Sequence, residues 1–227
     1  VLVSCGEDGP EIVVPNGTYD PAIDPANFAE GIENPYLPLR VGTTYVYEGD
    51  TEDGREKVQV DVTDRTKVVL GVTCIVVRDR VWLDGALAED TSDWYANDRE
   101  GNVWYFGEDS KEIQDGEVVG TGGSWEAGVG GAKPGIAMKA NPRIGDAYRQ
   151  EYYKGEAEDM AEVVGLGETA TVAFGTYTDV LRTKEWTPLE ADVVEHKYYA
   201  KNVGLILETV SRGGKGRIEL IAMTAAQ

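Results

Sequence analysis

The run Tyr148-Arg149-Gln150-Glu151-Tyr152-Tyr153-Lys154-Gly155-Glu156-Ala157-Glu158-Asp159 puts a guanidinium, a carboxylate and several phenols on one extended segment, then adds a knot of three more carboxylates. A strand that only fills a core needs no such mixture. Side chains alternate along extended backbone, so Tyr148, Gln150 and Tyr152 share one face and Arg149, Glu151 and Tyr153 the other. The segment Glu195-His196-Lys197-Tyr198-Tyr199 divides likewise, with Glu195, Lys197 and Tyr199 together and His196 with Tyr198. If the two segments lie near each other, Arg149, Glu151, Glu195 and Lys197 form a charged floor with tyrosine walls, the lining of a polar ligand site in a barrel or cupped sheet. If they do not, the same charges make cross-strand ion pairs on a wetted face. The ligand-binding set expected is Trp125, Glu126, Tyr148, Arg149, Glu151, Tyr153 and His196. Arg149 would meet an acidic group of the ligand, the aromatics would stack on it and the carboxylates would hold its hydroxyls. For His196 the plainer role is that of a hydrogen-bonded sheet residue.

Glu156, Glu158 and Asp159 are hard oxygen ligands on one turn and are candidates for Ca²⁺, although they lack the spacing of an EF-hand loop. In a chain with 41 acidic residues, a solvated turn is the competing reading. Paired carboxylates also serve glycoside hydrolysis. Glu126 beside Trp125, with Glu151 or Asp159 opposite, is the constellation that would do so, which makes Glu126, Glu151 and Asp159 the catalytic candidates. Nucleophilic catalysis has less support: His196 is the one histidine, and no Gly-x-Ser-x-Gly elbow occurs. The expectation is therefore binding rather than catalysis. Trp94-Tyr95 and Val103-Trp104-Tyr105-Phe106 flank one turn and read as aromatic packing across a hairpin. Gly213-Gly214-Lys215-Gly216 reads as a hairpin turn and not as a phosphate loop.

The elements that must position these groups are strands. From Thr43 onward the period is two, with turn signals at hairpin spacing. Expected strands are Thr44 to Glu48, Glu56 to Asp64, Lys67 to Leu70, Thr73 to Leu83, Ala86 to Tyr95, Val103 to Gly107, Glu108 to Gln114 and Glu117 to Thr121. From Gly122 to Pro142, six Gly and two Pro predict a functional loop without regular structure. Strands resume at Asp146 to Tyr153, Ala161 to Leu166, Ala170 to Phe174, Tyr177 to Glu185, Val193 to Ala200, Leu205 to Ser211 and Gly216 to Met223. No segment carries a helical stripe, which argues against a parallel sheet with helical crossovers. Residues 1–38 hold Pro10, Pro15, Pro21, Pro25, Pro35 and Pro38 and read as an extended arm or tether, with at most a short helical turn around Ala26 to Gly31. The expected fold is all-β: one antiparallel domain, residues 39–227, built as a curved sheet or barrel behind a Pro-rich N-terminal arm.

The net charge is −20. It disfavours nucleic acid and anionic membrane surfaces as partners and favours a solvated coat, cations or basic partners. No apolar run is long enough for a membrane helix. Cys5 and Cys74 are too few for a zinc cluster. Leu2-Val3-Ser4-Cys5 resembles the end of a bacterial lipoprotein signal, with Cys5 carrying lipid; a Cys5–Cys74 disulfide or two free thiols are the other readings. The first two agree on an extracytoplasmic place, secreted, at the cell surface or lipid-anchored. Ile12-Val13-Val14 in the arm suggest a further reading, a structural surface protein whose arm adds a strand to a neighbour and builds a filament or homo-oligomer.

Asn34-Pro35-Tyr36-Leu37-Pro38-Leu39 with Gly42-Thr43-Thr44, Asp93-Trp94-Tyr95-Ala96, Gly101-Asn102-Val103-Trp104-Tyr105-Phe106-Gly107-Glu108, Ser124-Trp125-Glu126-Ala127-Gly128, the Tyr148 to Asp159 run, and Tyr198-Tyr199-Ala200 with Val203-Gly204 together resemble a family of bacterial secreted or lipoprotein-like domains common in actinobacteria. The resemblance spans Asn34 to Leu220. It implies a placement and no mechanism, because that family brings no established activity. Tyr199-Ala200-Lys201-Asn202-Val203-Gly204-Leu205 is also similar to a strand-turn-strand phrase of envelope lipoproteins with curved antiparallel sheets, with Lys201-Asn202 where many of those carry Pro-Gly. That similarity implies a cupped sheet or barrel. The functional expectation is an extracytoplasmic domain that binds a small polar or amphiphilic ligand, carbohydrate-like or Ca²⁺-dependent.

Overall fold

The structure, a computed structural model, describes residues 18–225. Among these, seventeen strands join one antiparallel sheet that curls into a nearly closed barrel. The first half is a meander of β2 (Thr44–Thr51), β3 (Arg55–Val69), β4 (Val72–Leu83), β5 (Ala86–Asp98) and β6 (Val103–Asp109), preceded by the two-residue β1 (Phe28–Ala29) on the end of β5. The second half is a meander of β13 (Met160–Val172), β14 (Gly175–Trp186), β15 (Val194–Ala200), β16 (Gly204–Arg212) and β17 (Gly216–Thr224). On one side β17 closes the ring against β2, in register from Gly216↔Thr51 to Thr224↔Thr44. On the other side β10 (Lys133–Met138) lies on β6, and a kinked strand completes the circuit. Its first part, β11 (Ala147–Arg149), pairs with β13 and its second, β12 (Glu151–Tyr152), with β10. The hairpin of β7 (Glu112–Gln114) and β8 (Glu117–Gly120) pairs with β5 through β7, and the short β9 (Trp125–Glu126) pairs with β6.

Period-two alternation produces this shape directly. Val58, Val60 and Val62 of β3 face Val81, Asp79 and Val77 of β4 across the ladder, and these side chains point into the barrel. The outer face of the same strands carries ion pairs, such as Arg78 with Asp90 at 2.6 Å and Arg80 with Asp61 at 2.6 Å. Asp84-Gly85 and Asp115-Gly116 turn two hairpins with positive φ at both residues, the backbone that a two-residue turn requires. Gly107, at φ +133, makes a bulge against β5, and as a result Tyr105 and Glu108 both reach the inner side.

There are two main cores. One fills an end of the barrel, with Tyr45, Val62, Val77, Leu181, Ile206 and Leu220 among its buried members. The other lies outside the barrel wall, where Cys74, Val76, Trp94 and Phe106 are covered by Trp125, Ala127 and Ala132. The segment Gly122 to Pro142, expected as an irregular loop, therefore contains β9 and β10 and forms part of the wall as well as the cover of the second core. Gly135 makes this crossing feasible, because a Cβ there would meet the backbone of Gln150. Two other expected breaks are absent. β3 runs unbroken through the expected gap before Lys67, and β13 unbroken from Met160 to Val172, because bulges between Val62 and Thr66 and between Val163 and Ala170 absorb the change in pattern. The expected strand from Glu108 to Gln114 divides between β6 and β7.

The described part of the Pro-rich arm is docked and does not trail as a tether. Tyr19 donates to the Pro134 carbonyl (2.9 Å), and a 3₁₀ turn spans Pro25–Asn27. Ile32, Tyr36 and Leu39 are buried in the barrel core and stop one end of it. Asn34, also buried, donates to the carbonyls of Gly101 and Lys139, and the Tyr45 hydroxyl donates to that of Pro38. Cys74 is wholly buried and its thiol is pushed up to about 12, first by desolvation. Cys5 and Ile12-Val13-Val14 lie outside the described residues, so the lipid, disulfide and strand-addition expectations all involve residues beyond them. Among the described residues no helix is long and apolar enough to cross a membrane.

Candidate functional site

Behind the plug of Ile32 to Leu39 the barrel encloses a cavity of about 340 Å³. Its plugged end is apolar, with Leu37, Leu39, Tyr45, Val60 and Val77. Its remaining wall carries five carboxyls, those of Glu56, Asp79, Asp93, Glu185 and Glu208, and one ammonium, that of Lys197. Two smaller hollows adjoin it. One of about 250 Å³ shares Glu56 and Glu208, and one of about 190 Å³ shares Glu185 and Lys197 and adds Asp159; Glu195 lines both.

Each acid is inward because its strand's alternation puts it there, in line with valines and tyrosines rather than among the outer charges. Lys197 on β15 lies opposite Glu208 on β16 and Thr183 on β14. Its Nζ is 3.2 Å from Glu185 and 3.4 Å from Glu208. Burial pulls the Lys197 ammonium towards its neutral form, but Glu185, Glu208, Tyr199 and Glu195 outweigh this and hold its pKa well above the usual range. Its side chain keeps 26% of its surface accessible although protein surrounds it. That remaining surface faces the cavity. Glu185 also accepts from Thr183 (2.7 Å) and Tyr199 (3.2 Å), so its carboxylate is well satisfied.

The other acids are not so satisfied. Desolvation, aided by Glu89, Glu208 and Glu56, lifts Asp79 to about 7, and its Oδ1 is buried without a hydrogen-bond partner. Asp93 rises to about 7 and Glu108 to about 8, each mainly by desolvation and then by neighbouring carboxyls. The Tyr105 hydroxyl lies 2.6 Å from Asp93 and 2.8 Å from Glu108. A phenol has one proton to donate, so full use of both contacts requires a proton on one of the two carboxyls. Glu151 accepts from the Trp125 indole (2.8 Å) and is raised to about 9 by desolvation, then by Asp159 and Glu108. Glu195 rises to about 7, with desolvation opposed by Lys197. Asp159 is exposed on the rim, yet the surrounding walls still raise it by desolvation while Lys197 opposes. The interior thus sets carboxyls that hold their protons to near neutrality, Asp79, Asp93 and Glu195, near a single cation, Lys197.

The residues expected from sequence divide between this interior and the outer surface. Trp125, of the second core, and Glu151 meet each other beside Tyr105, whose ring lies edge-on to Trp125 at 5.4 Å, and neither lines the cavity or the two hollows. Tyr148 points into the barrel core and its buried hydroxyl has no partner. Glu195 and Lys197 line the hollows as alternation required. Arg149 does not join them. Alternation from the inward Tyr148 sends it outward between Tyr152 (4.7 Å) and Tyr19 (5.7 Å), with Glu158 at 3.8 Å, and the kink at Gln150 separates it from Glu151. Glu126 is also outside, where its carboxylate accepts from Lys67 (2.7 Å). Tyr153 packs on the second core, and its hydroxyl end lies against Gly130. His196 is on the outer face beside Arg182 and Lys184, and burial followed by those two cations lowers its pKa. Glu156 is exposed, Glu158 accepts from the Gly155 amide (2.9 Å), and Asp159 faces the hollow, so the three do not converge. Among the described residues no three His, Cys, Asp or Glu are grouped to hold a metal ion.

Sequence reasoning missed Glu56, Asp79, Asp93, Glu108, Glu185 and Glu208. The available signal was an acid in the inward register of an otherwise apolar strand, as in Ile75, Val77, Asp79, Val81.

No protein-family model matches the chain. No curated protein matches it. Two solved structures are similar. One is a candidate exported protein with a YmcC-like fold from Bacteroides fragilis, 16% identical, with a TM-score of 0.49 over 84% of this chain and 99% of that one. The other is a candidate lipoprotein from Parabacteroides distasonis, 12% identical, with a TM-score of 0.44 over 83% of this chain and 98% of that one.

Proposed function

We propose that the protein is an extracytoplasmic binding domain that holds a small amphiphilic ligand inside its barrel. The observation that carries this reading is the two-sided lining of one cavity: apolar side chains and tyrosine faces at the plugged end, carboxyls and Lys197 along the rest. At about 340 Å³ the cavity lies in the size range of small-molecule sites. An alkyl or ring portion would displace water from the valines, and a polar portion would meet the carboxyls. The extracytoplasmic place rests on Leu2-Val3-Ser4-Cys5, which resembles the end of a bacterial lipoprotein signal. The Glu126 carboxylate is held by Lys67 at 2.7 Å, and no step of bond making is proposed.

Thermal shift tests the reading with eight-carbon compounds that differ in head group (octyl glucoside, octanol, octylamine and octanoate), with free oligosaccharides and Ca²⁺ run alongside. A compound held by the native state at 100 times its Kd adds about 2.7 kcal/mol of apparent stability. A rise in Tm with at least one octyl compound is the expected result. A flat response to all four would remove the reading, and a response to oligosaccharide or Ca²⁺ alone would replace it.

A further inference from the structure

We infer that the ligand held in the barrel is an organic cation, an alkylammonium or similarly charged amphiphile whose head group sits against Asp79 among Glu56, Asp93 and Glu208. This inference rests on the reading above and names the ligand class for the same cavity.

The charge lining the cavity is heavily one-sided, with five carboxyls against one ammonium, and that ammonium is already engaged by Glu185 and Glu208. An anionic head group would find no free cation there, since Arg149 is turned to the outer face between Tyr19 and Tyr152. An acidic lining alone does not make a site. Asp79 adds a feature of its own: it lines the cavity, and its Oδ1 is buried and accepts no hydrogen bond from the protein. Leaving a buried carboxylate oxygen unpaired is costly. A ligand ammonium at the cavity-facing part of that carboxylate would compensate its charge through a charge-assisted hydrogen bond. Asp79 faces Tyr47, Glu56, Glu89, Asp93, Lys197 and Glu208 from the strands around it, so its surroundings are acidic except for the paired lysine.

The walls also suit a cation that carries hydrocarbon. Tyr45 and Tyr47 stack at 6.5 Å and Tyr95 lies by the carboxyls, which offers aromatic faces to a positive charge. Valines then take the chain. A metal ion fits less well, because the acids are spread around the ring and no three are grouped to ligate one among the described residues.

Isothermal titration of the full chain at pH 7.5 with octylamine, octanol and octanoate tests this. Octylamine is expected to bind one to one, about ten-fold or more tighter than octanol, with no binding of octanoate. Asp79→Asn, which keeps shape and removes charge, is expected to weaken octylamine binding by about ten-fold while octanol binding is unchanged. Because a bound cation favours the ionised carboxyls, octylamine binding should also release protons, read as a difference in apparent enthalpy between phosphate and Tris buffers. Octanol equal to octylamine, or any preference for octanoate, would overturn the cation inference and leave the interior site standing. Multiple weak octylamine sites, or affinity unchanged in Asp79→Asn, would overturn it as mere attraction to an acidic surface. No binding of any of the three would overturn both.

Discussion

At the scale of single residues the main consequence is a dependence on protons. Asp79 and Asp93 at about 7, Glu108 at about 8 and Glu151 at about 9 all bind protons more tightly in the native protein than in the unfolded chain, where carboxyls titrate near 4. Between those limits the native state carries the greater number of protons. The stability from these groups is fully present below about pH 4 and is lost as pH rises through 7 to 9. Urea denaturation is expected to show stability falling between pH 5 and pH 9 by several kcal/mol, at about 1.4 kcal/mol for each group and pH unit over which only the native state holds the proton. Glu151→Gln, whose amide oxygen can still accept from Trp125, should flatten the upper part of that fall. A profile that is level, or that rises with pH, would show that these carboxyls are not held neutral. Asp79→Asn makes a separate prediction: no change near pH 5, and a gain of about 1 kcal/mol at pH 8.5, because an uncompensated buried charge is removed.

At the scale of elements, alternation was the legible part and irregularity was not. The strand pattern around Val58, Val60 and Val62 could be read directly, as could the turns at Asp84-Gly85 and Asp115-Gly116 and the facing of Glu195 and Lys197. What period two cannot supply is the effect of a bulge or kink, each of which reverses the facing of everything after it. The kink at Gln150 parts Glu151, which reaches Trp125, from the outward Arg149, so the segment with the most evident chemistry in the sequence gives the cavity wall only part of its side chains. Gly107 acts similarly on β6, and a Cβ there would strike the Trp125 carbonyl. Gly107→Ala is expected to cost more than about 2 kcal/mol through strain at φ +133, measured as a fall in Tm. Docking of the N-terminal segment was also hidden, since it depends on Tyr19 and Arg149, residues far apart in the chain. Tyr19→Ala removes one face of that stack and should speed proteolysis or amide exchange within residues 18–38, at a cost of about 1 kcal/mol. Unchanged exchange there would mean that the plug is held by Ile32, Tyr36 and Leu39 alone.

At the scale of the molecule, an acidic chain has folded so that part of its excess charge lines its own interior. The outer face resolves many of its carboxylates in ion pairs such as Arg78 with Asp90, whereas the cavity has Lys197 and little else. Composition predicted the acidity but could not say where it would concentrate, because each inward acid is isolated in sequence and only ring closure by β17 on β2 brings them together. Whether that interior takes a ligand is therefore the decisive question. Val60→Trp tests this most directly: it fills space beside the apolar end, and its effect is read by thermal shift with octyl compounds, with circular dichroism to verify the sheet. A variant that keeps its fold and loses the ligand-induced rise in Tm is the predicted result. A rise undiminished from that of the unaltered protein would contradict the account, because the compound would then be bound somewhere other than the barrel interior.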